Sequence, residues 1–185
     1  PFYAEHLIRY EDLDQSAETA ADLDASDSEF LLDSLITRIH PNGAVTEMTH
    51  YIVRLLKPEG REKWAEVDVP ARHSEVLWAR TILDDGTVYE AEPPTDLGGR
   101  KVLSMYGLEP GCVVDIAYVE HRRGRQSPGR NGYRGTFYFG QTVDFVHHSR
   151  WVVTVEEGIE IDWQANPADF RPEIQGEPDA TTYLW

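Results

Sequence analysis

The chain has 185 residues, with 17 basic and 33 acidic side chains and a formal charge of -16. That balance opposes close approach to nucleic acid or to an anionic membrane, and the single cysteine, Cys112, excludes an intrachain disulfide framework. No stretch reaches the roughly 20 apolar residues of a bilayer-spanning helix, the first residues lack the basic and apolar regions of a signal peptide, and Pro1 in place of a methionine is expected of a processed or excised chain.

Residues 1–33 hold ten acids against one base, Arg9, a local charge of -9. Such repulsion, with few large apolar residues after Leu13, favours a mobile strap over an independent domain, with a marginal helix over 16–25 as the other option. The expected organisation is an acidic N-terminal extension over 1–30, a β domain over 31–165 and a Pro-rich tail or linker over 166–185.

Turn signals divide the middle of the chain: Pro41-Asn42-Gly43, Pro58-Glu59-Gly60, Asp84-Asp85-Gly86 and Pro110-Gly111. Asn42-Gly43 suits a tight hairpin because both residues tolerate positive φ. After it, Val45, Glu47, Thr49, Tyr51, Val53 and Leu55 share one side of an extended segment, while Met48, Ile52 and Leu56 put apolar groups on the other. A strand covered on both faces implies at least two layers. Further strands are expected over 64–70, 76–83, 87–91, 113–119, 136–140, 143–147, 150–155 and 159–163, with a short apolar segment at 101–106. The gaps are too short for repeated helical crossovers, so the expected fold is all-β, an antiparallel two-layer β-sandwich.

For chemistry, the most conspicuous segment is 121–134, with five arginines (Arg122, Arg123, Arg125, Arg130 and Arg134), Tyr133 among them and no acid. Guanidinium forks suit a carboxylate- or phosphate-rich partner, although the Gly, Ser, Pro and Asn content equally suits an exposed connection. Tyr133, Tyr138 and Trp163 are the expected exposed aromatic anchors, and most other aromatics belong to the core. His147-His148 with Asp144 is a weak metal candidate, because adjacent strand residues face opposite ways. The remaining histidines, His6, His40, His50, His73 and His121, show no ligand spacing, and no phosphate-binding glycine loop occurs. Cys112 reads as a small buried group with no activating base beside it. Ser104 and Ser149 lack a nucleophile elbow, and the pairs Asp84-Asp85 and Glu156-Glu157 adjoin turn glycines. No catalytic, cofactor or metal residue is therefore expected.

The run from Ile36 to Glu92, carried by 40–43, 51–56 and 79–88, and the run Leu103–Tyr118 resemble the domain-of-unknown-function family 3857, a likeness covering about residues 36–160. The resemblance implies a β-sandwich placed before a transglutaminase-like domain in bacterial proteins that are commonly exported or membrane-associated. It transfers no catalytic residue, and Cys112 stands where family members often carry an acid. The expected function is a non-catalytic scaffold or polypeptide-binding module whose partner is a neighbouring transglutaminase-like domain or another polypeptide. Neither nucleic-acid binding nor direct membrane insertion is expected. Arg122, Arg123, Arg125, Arg130, Tyr133, Arg134, Tyr138 and Trp163 are the expected partner-binding residues. A hydrolase with a non-local active site and a carbohydrate-binding module stay open as alternatives.

Overall fold

A computed structural model describes residues 1–13, 26–70, 73–123, 133–140 and 144–185. The helix considered over 16–25, and with it Arg125 and Arg130, lie outside the described residues.

The long apolar alternation after Asp27 becomes a hairpin of β1 (Ser28–Ile39) and β2 (Val45–Leu55). Its connection closes through His40 N–H to Ala44 O at 2.9 Å and Gly43 N–H to His40 O at 2.8 Å. Asn42 Oδ1 accepts the Ala44 N–H at 2.9 Å, and Gly43 adopts φ 76°. Asparagine and glycine therefore do what the turn requires of them.

The segment expected as the next turn is instead a short helix, α1 (Pro58–Trp64). Pro58 occupies the first turn, where a missing N–H costs no intrahelical bond. Gly60 is needed for proximity: a Cβ there would lie 2.6 Å from the Asp27 carbonyl oxygen. Trp64, expected to begin a strand, ends this helix with its ring buried.

There follow β3 (Glu66–Pro70), β4 (Ser74–Ile82), β5 (Val88–Glu90), β6 (Thr95–Asp96), β7 (Arg100–Ser104) and β8 (Val113–Arg122). After these come β9 (Phe145–Val146), β10 (Ser149–Glu156), β11 (Glu173–Glu177) and β12 (Ala180–Leu184). The large sheet has the order β11-β12-β10-β1-β2-β8-β4-β5, with β9 beside the start of β1; the small sheet has the order β3-β7-β6. The two pack as a sandwich-like all-β fold.

Register assigns the faces of the large sheet. On one face, here the upper, Phe30, Val53, Leu55, Ala79, Val114 and Ile116 meet Val69, Leu103 and Met105 of the small-sheet layer together with Trp64. On the lower face, Ile36, Met48, Ala117, Val119 and Val152 are covered by Phe2, Tyr3 and Leu7, while Leu31, Leu32, Ile52 and Val113 are covered by Ile8, Tyr10 and Leu13. Residues 1–13 of the acidic extension thus act as a lid over the second face of the large sheet. Sealing a large side chain such as Leu32, Ile36 or Ile52 from water contributes about 1.5 to 3 kcal/mol each, and all three are at most 2% exposed.

Four details depart from expectation. Strand β1 runs antiparallel to β2 but parallel to β10 and β9, because β10 arrives from a long connection rather than from a hairpin. Residues 136–140 and 159–163 form no strand. In the second of these, Ile159 and Ile161 pack against Ile39, Val45, Val153 and Val155, so the alternation satisfies packing without a ladder. Finally, residues 173–184, in the span expected as a tail, form the hairpin β11–β12 and extend the large sheet through β10.

Candidate functional site

The upper face of the large sheet is covered in two patches. The small sheet lies over β2, β8 and β4, and the segment 133–137 lies nearer β1 and β10. Between them is a groove of about 440 Å³, floored by Leu35, Thr49, Tyr51, Tyr118, Glu47 and Glu120, with Pro70 of β3 on one side and Tyr133 to Phe137 on the other. The pairings Leu35↔Thr49, Thr49↔Tyr118 and Glu47↔Glu120 make the floor contiguous, since directly opposed residues share a face.

Tyr133 donates to Glu47 Oε1 at 2.5 Å, and Thr37 Oγ1 donates to the same oxygen at 3.5 Å. Trp151 Nε1 in turn donates to Thr37 Oγ1 at 3.0 Å. Arg122 forms an ion pair with the other oxygen of Glu47 and lies 3.4 Å from Glu120. These contacts satisfy the polar atoms of Glu47, which is only 4% exposed. Burial, then Tyr118 and Asp33, push the Tyr51 phenol well above its ordinary pKa. Burial likewise raises Tyr118, which is coupled to Tyr51 and Thr49 through their hydroxyls. The groove floor therefore holds neutral phenols and a hydroxyl, able to donate and accept hydrogen bonds, beside compensated carboxylates.

Of the expected binding residues, the fold brings Arg122, Tyr133 and Arg134 to this groove. Arg122 is engaged by Glu47 and Glu120, so it is a strut of the groove. Arg123 lines a separate open hollow of about 560 Å³ with His40, His73, His121 and Glu156. There His40 Nδ1 lies 2.9 Å from Glu156 Oε1, which also accepts from Arg38 at 2.9 Å. Tyr138 is 78% exposed and does not line the groove. Trp163 meets Trp185 edge-on at 5.9 Å, within a line of rings that continues through Trp151 and Phe137; it is a half-buried packing residue rather than a free anchor.

Asp33, Glu47, Thr49, Tyr51 and Glu120 are groove residues that no cluster or motif in the sequence marks. A signal did exist in β2: its upper side reads Glu47, Thr49 and Tyr51 before turning to Val53 and Leu55, and the change marks where the small sheet begins to cover it.

Cys112, His147, Asp144 and Asp115 are tied into structural contacts. Burial pushes the Cys112 thiol up, away from the thiolate a nucleophile needs, and its sulfur accepts the Glu109 N–H at 3.4 Å. His147 Nε2 lies 2.8 Å from Glu29 Oε2, and Arg54 donates to the other oxygen at 3.0 Å. Asp144 instead accepts from Ser28 at 3.2 Å and pairs with Lys63. On the lower face Asp115 accepts from Trp78 at 2.7 Å and from Arg80 at 2.9 Å, and bonds His50 at 2.9 Å. Burial opposes ionisation of Asp115, but those three partners hold its pKa below the ordinary aspartate value. Among the described residues no group of three His, Cys, Asp or Glu side chains converges to hold a metal, and no helix is long and apolar enough to cross a membrane.

No family model matches the chain, and no curated protein matches it. Solved structures do. A protein from Parabacteroides distasonis, provisionally described as a protease, shares the fold with a TM-score of 0.64 and 13% identity over 87% of this chain and 35% of its own. An M1 zinc metallopeptidase from Deinococcus radiodurans matches with a TM-score of 0.46 and 10% identity, over 86% of this chain and 38% of its own. The chain thus spans little more than a third of the length of either structure, and the first of them shows that this β arrangement occurs within a longer polypeptide.

Proposed function

We propose that this chain is a scaffold and polypeptide-binding module of a larger protein, without chemistry of its own, and that its binding surface is the groove over β1, β2 and β8. The groove carries the reading. It is open, bounded by two separate covering layers, and floored by the hydroxyl groups of Thr49, Tyr51 and Tyr118, which complement the amides of an extended peptide. The saturated state of Glu29, Glu47 and Asp115 and the raised thiol of Cys112 also favour structural over catalytic roles. The family resemblance makes a transglutaminase-like domain the neighbour proposed, and the likeness to one part of a protein described as a protease is in keeping with an enzyme-associated module.

Titration with a panel of extended synthetic peptides, followed by amide hydrogen exchange, tests the reading. Protection of 47–51 and 118–120 that persists in Cys112→Ala and His147→Gln supports it. Turnover of a peptide that disappears in either variant overturns it in favour of a hydrolase. Saturable glycan binding without peptide binding overturns it in favour of a carbohydrate module.

A further inference from the structure

Strand β11 ends the large sheet, and all five of its residues are exposed. Its two sides differ in character. Ile174 lies opposite Tyr183, which lies opposite Val153 of β10, so Ile174 is on the upper, aromatic face. There Tyr183 stacks on Trp185 at 6.0 Å, and Trp185 stacks on Trp151 at 5.6 Å. Ile174 is 58% exposed at the rim of this aromatic strip. Gly176, on the same side, leaves open space where a Cβ would stand.

The other side is acidic. Glu173 lies opposite Leu184, which packs on the lower face beside Phe2 and Tyr3, and alternation places Gln175 and Glu177 with it. His6 lies near Glu177, but burial, followed by repulsion from Arg150, lowers the pKa of the imidazole, so it offers the glutamate little positive charge at neutral pH. Among the described residues no strand pairs with the outer edge of β11.

We propose that the outer edge of β11 takes up an extended polypeptide strand in which basic and apolar residues alternate. Its backbone would complete the ladder. Its apolar side chains would fall opposite Ile174 and Gly176, extending the aromatic face, and its basic side chains opposite Glu173, Gln175 and Glu177. Charge commits the surface to this occupant, because two glutamates flank the strand on a chain of charge -16, which steers a cationic segment and repels an anionic one. A second copy of the same edge is disfavoured for the same reason: antiparallel pairing about Gln175 would set Glu173 against Glu177 twice, and like charges directly opposed destabilise a sheet. The inference goes beyond the groove, since a segment can dock on β11 and leave Tyr51 and Tyr118 untouched.

The test uses a seven-residue peptide of alternating lysine and valine, with two controls: the same composition arranged in two blocks, and glutamate in place of lysine. The alternating peptide is expected to bind more tightly than either control and to slow amide exchange over 173–177. Glu173→Lys/Glu177→Lys, confirmed as folded by circular dichroism, is expected to bind it about tenfold more weakly and to gain affinity for the glutamate peptide. Equal binding of the block peptide, unchanged affinity in the charge-reversed variant, or concentration-dependent protection of 173–177 without peptide would overturn the proposal; the last result would mean self-association. Protection confined to 47–51 and 118–120 would sink the edge site while leaving the groove in place, and absence of any peptide binding would remove both.

Discussion

The phenol of Tyr133 donates to Glu47 Oε1 across 2.5 Å, joining the end of the arginine-rich connection to the start of β2. Two residues separated by 86 positions thereby define one wall and part of the floor of the groove. Tyr133→Phe is expected to keep the ring and lose the bond, costing about 1 to 3 kcal/mol because Glu47 stays buried with one donor fewer. Urea unfolding reads the stability. Amide exchange should accelerate over 133–137 and not over 100–104; uniform acceleration would mean that Tyr133 does not pin this wall.

Asp115 makes a second prediction, in acid. Its folded pKa is depressed, so its contribution to stability is fully present above the unfolded value, near 3.8, and is lost as pH falls through the lower folded value. Asp115→Asn should destabilise the protein by about 2 to 4 kcal/mol at neutral pH, because His50 and Arg80 lose a charged partner, and should flatten the stability decline below about pH 4. A variant whose acid limb matches that of the parent would show that other carboxylates govern it.

Gly60 reverses the usual helix rule. Glycine to alanine inside a helix ordinarily stabilises by about 1 kcal/mol, but here the new methyl would meet the Asp27 carbonyl at 2.6 Å. That carbonyl already accepts the Leu56 and Lys57 N–H groups at 2.9 and 3.2 Å, so it has little freedom to retreat. Gly60→Ala is therefore expected to lower stability by about 1 to 3 kcal/mol. A gain in melting temperature would refute the close approach.

Cys112 should be chemically quiet. With its thiol buried and its pKa raised, alkylation by iodoacetamide at pH 8 is expected to be at least about a hundredfold slower in the native protein than in denaturant. Comparable rates in the two states would return Cys112 to consideration as a reactive group.

Strand β2 was legible because its alternation was sustained and began at an Asn-Gly turn; β8 and β10 were legible as compact runs of valine and isoleucine. Helix α1 was not, since Pro58 and Gly60 individually read as turn residues and only the Asp27 carbonyl explains why glycine occupies a helical position. Segment 159–163 alternates like a strand because Ile159 and Ile161 must face the sheet, yet side-chain period reports burial rather than backbone pairing. Strands β11 and β12 were missed for the converse reason: their backbone pairs although their side chains form no apolar run. The site was half visible. Arg122, Tyr133 and Arg134 stood out through clustering, whereas Glu47 and Glu120, the acids that hold Arg122, lie far apart in sequence and meet only through the β2–β8 register.

The parallel pairing of β1 with β10 has a consequence for how the chain is made. Asp33 to Ile39 find one neighbour at once in β2, but their other flank is completed only by Ser149 to Val155. During synthesis that flank waits through more than half the polypeptide with its N–H and C=O groups unpaired beside Ile36 and Ile39. Pairings this distant form slowly because their loop entropy is lost before any contact rewards it. A nascent chain halted before residue 149 would therefore offer an open, apolar-sided strand to whatever holds or degrades unfinished proteins.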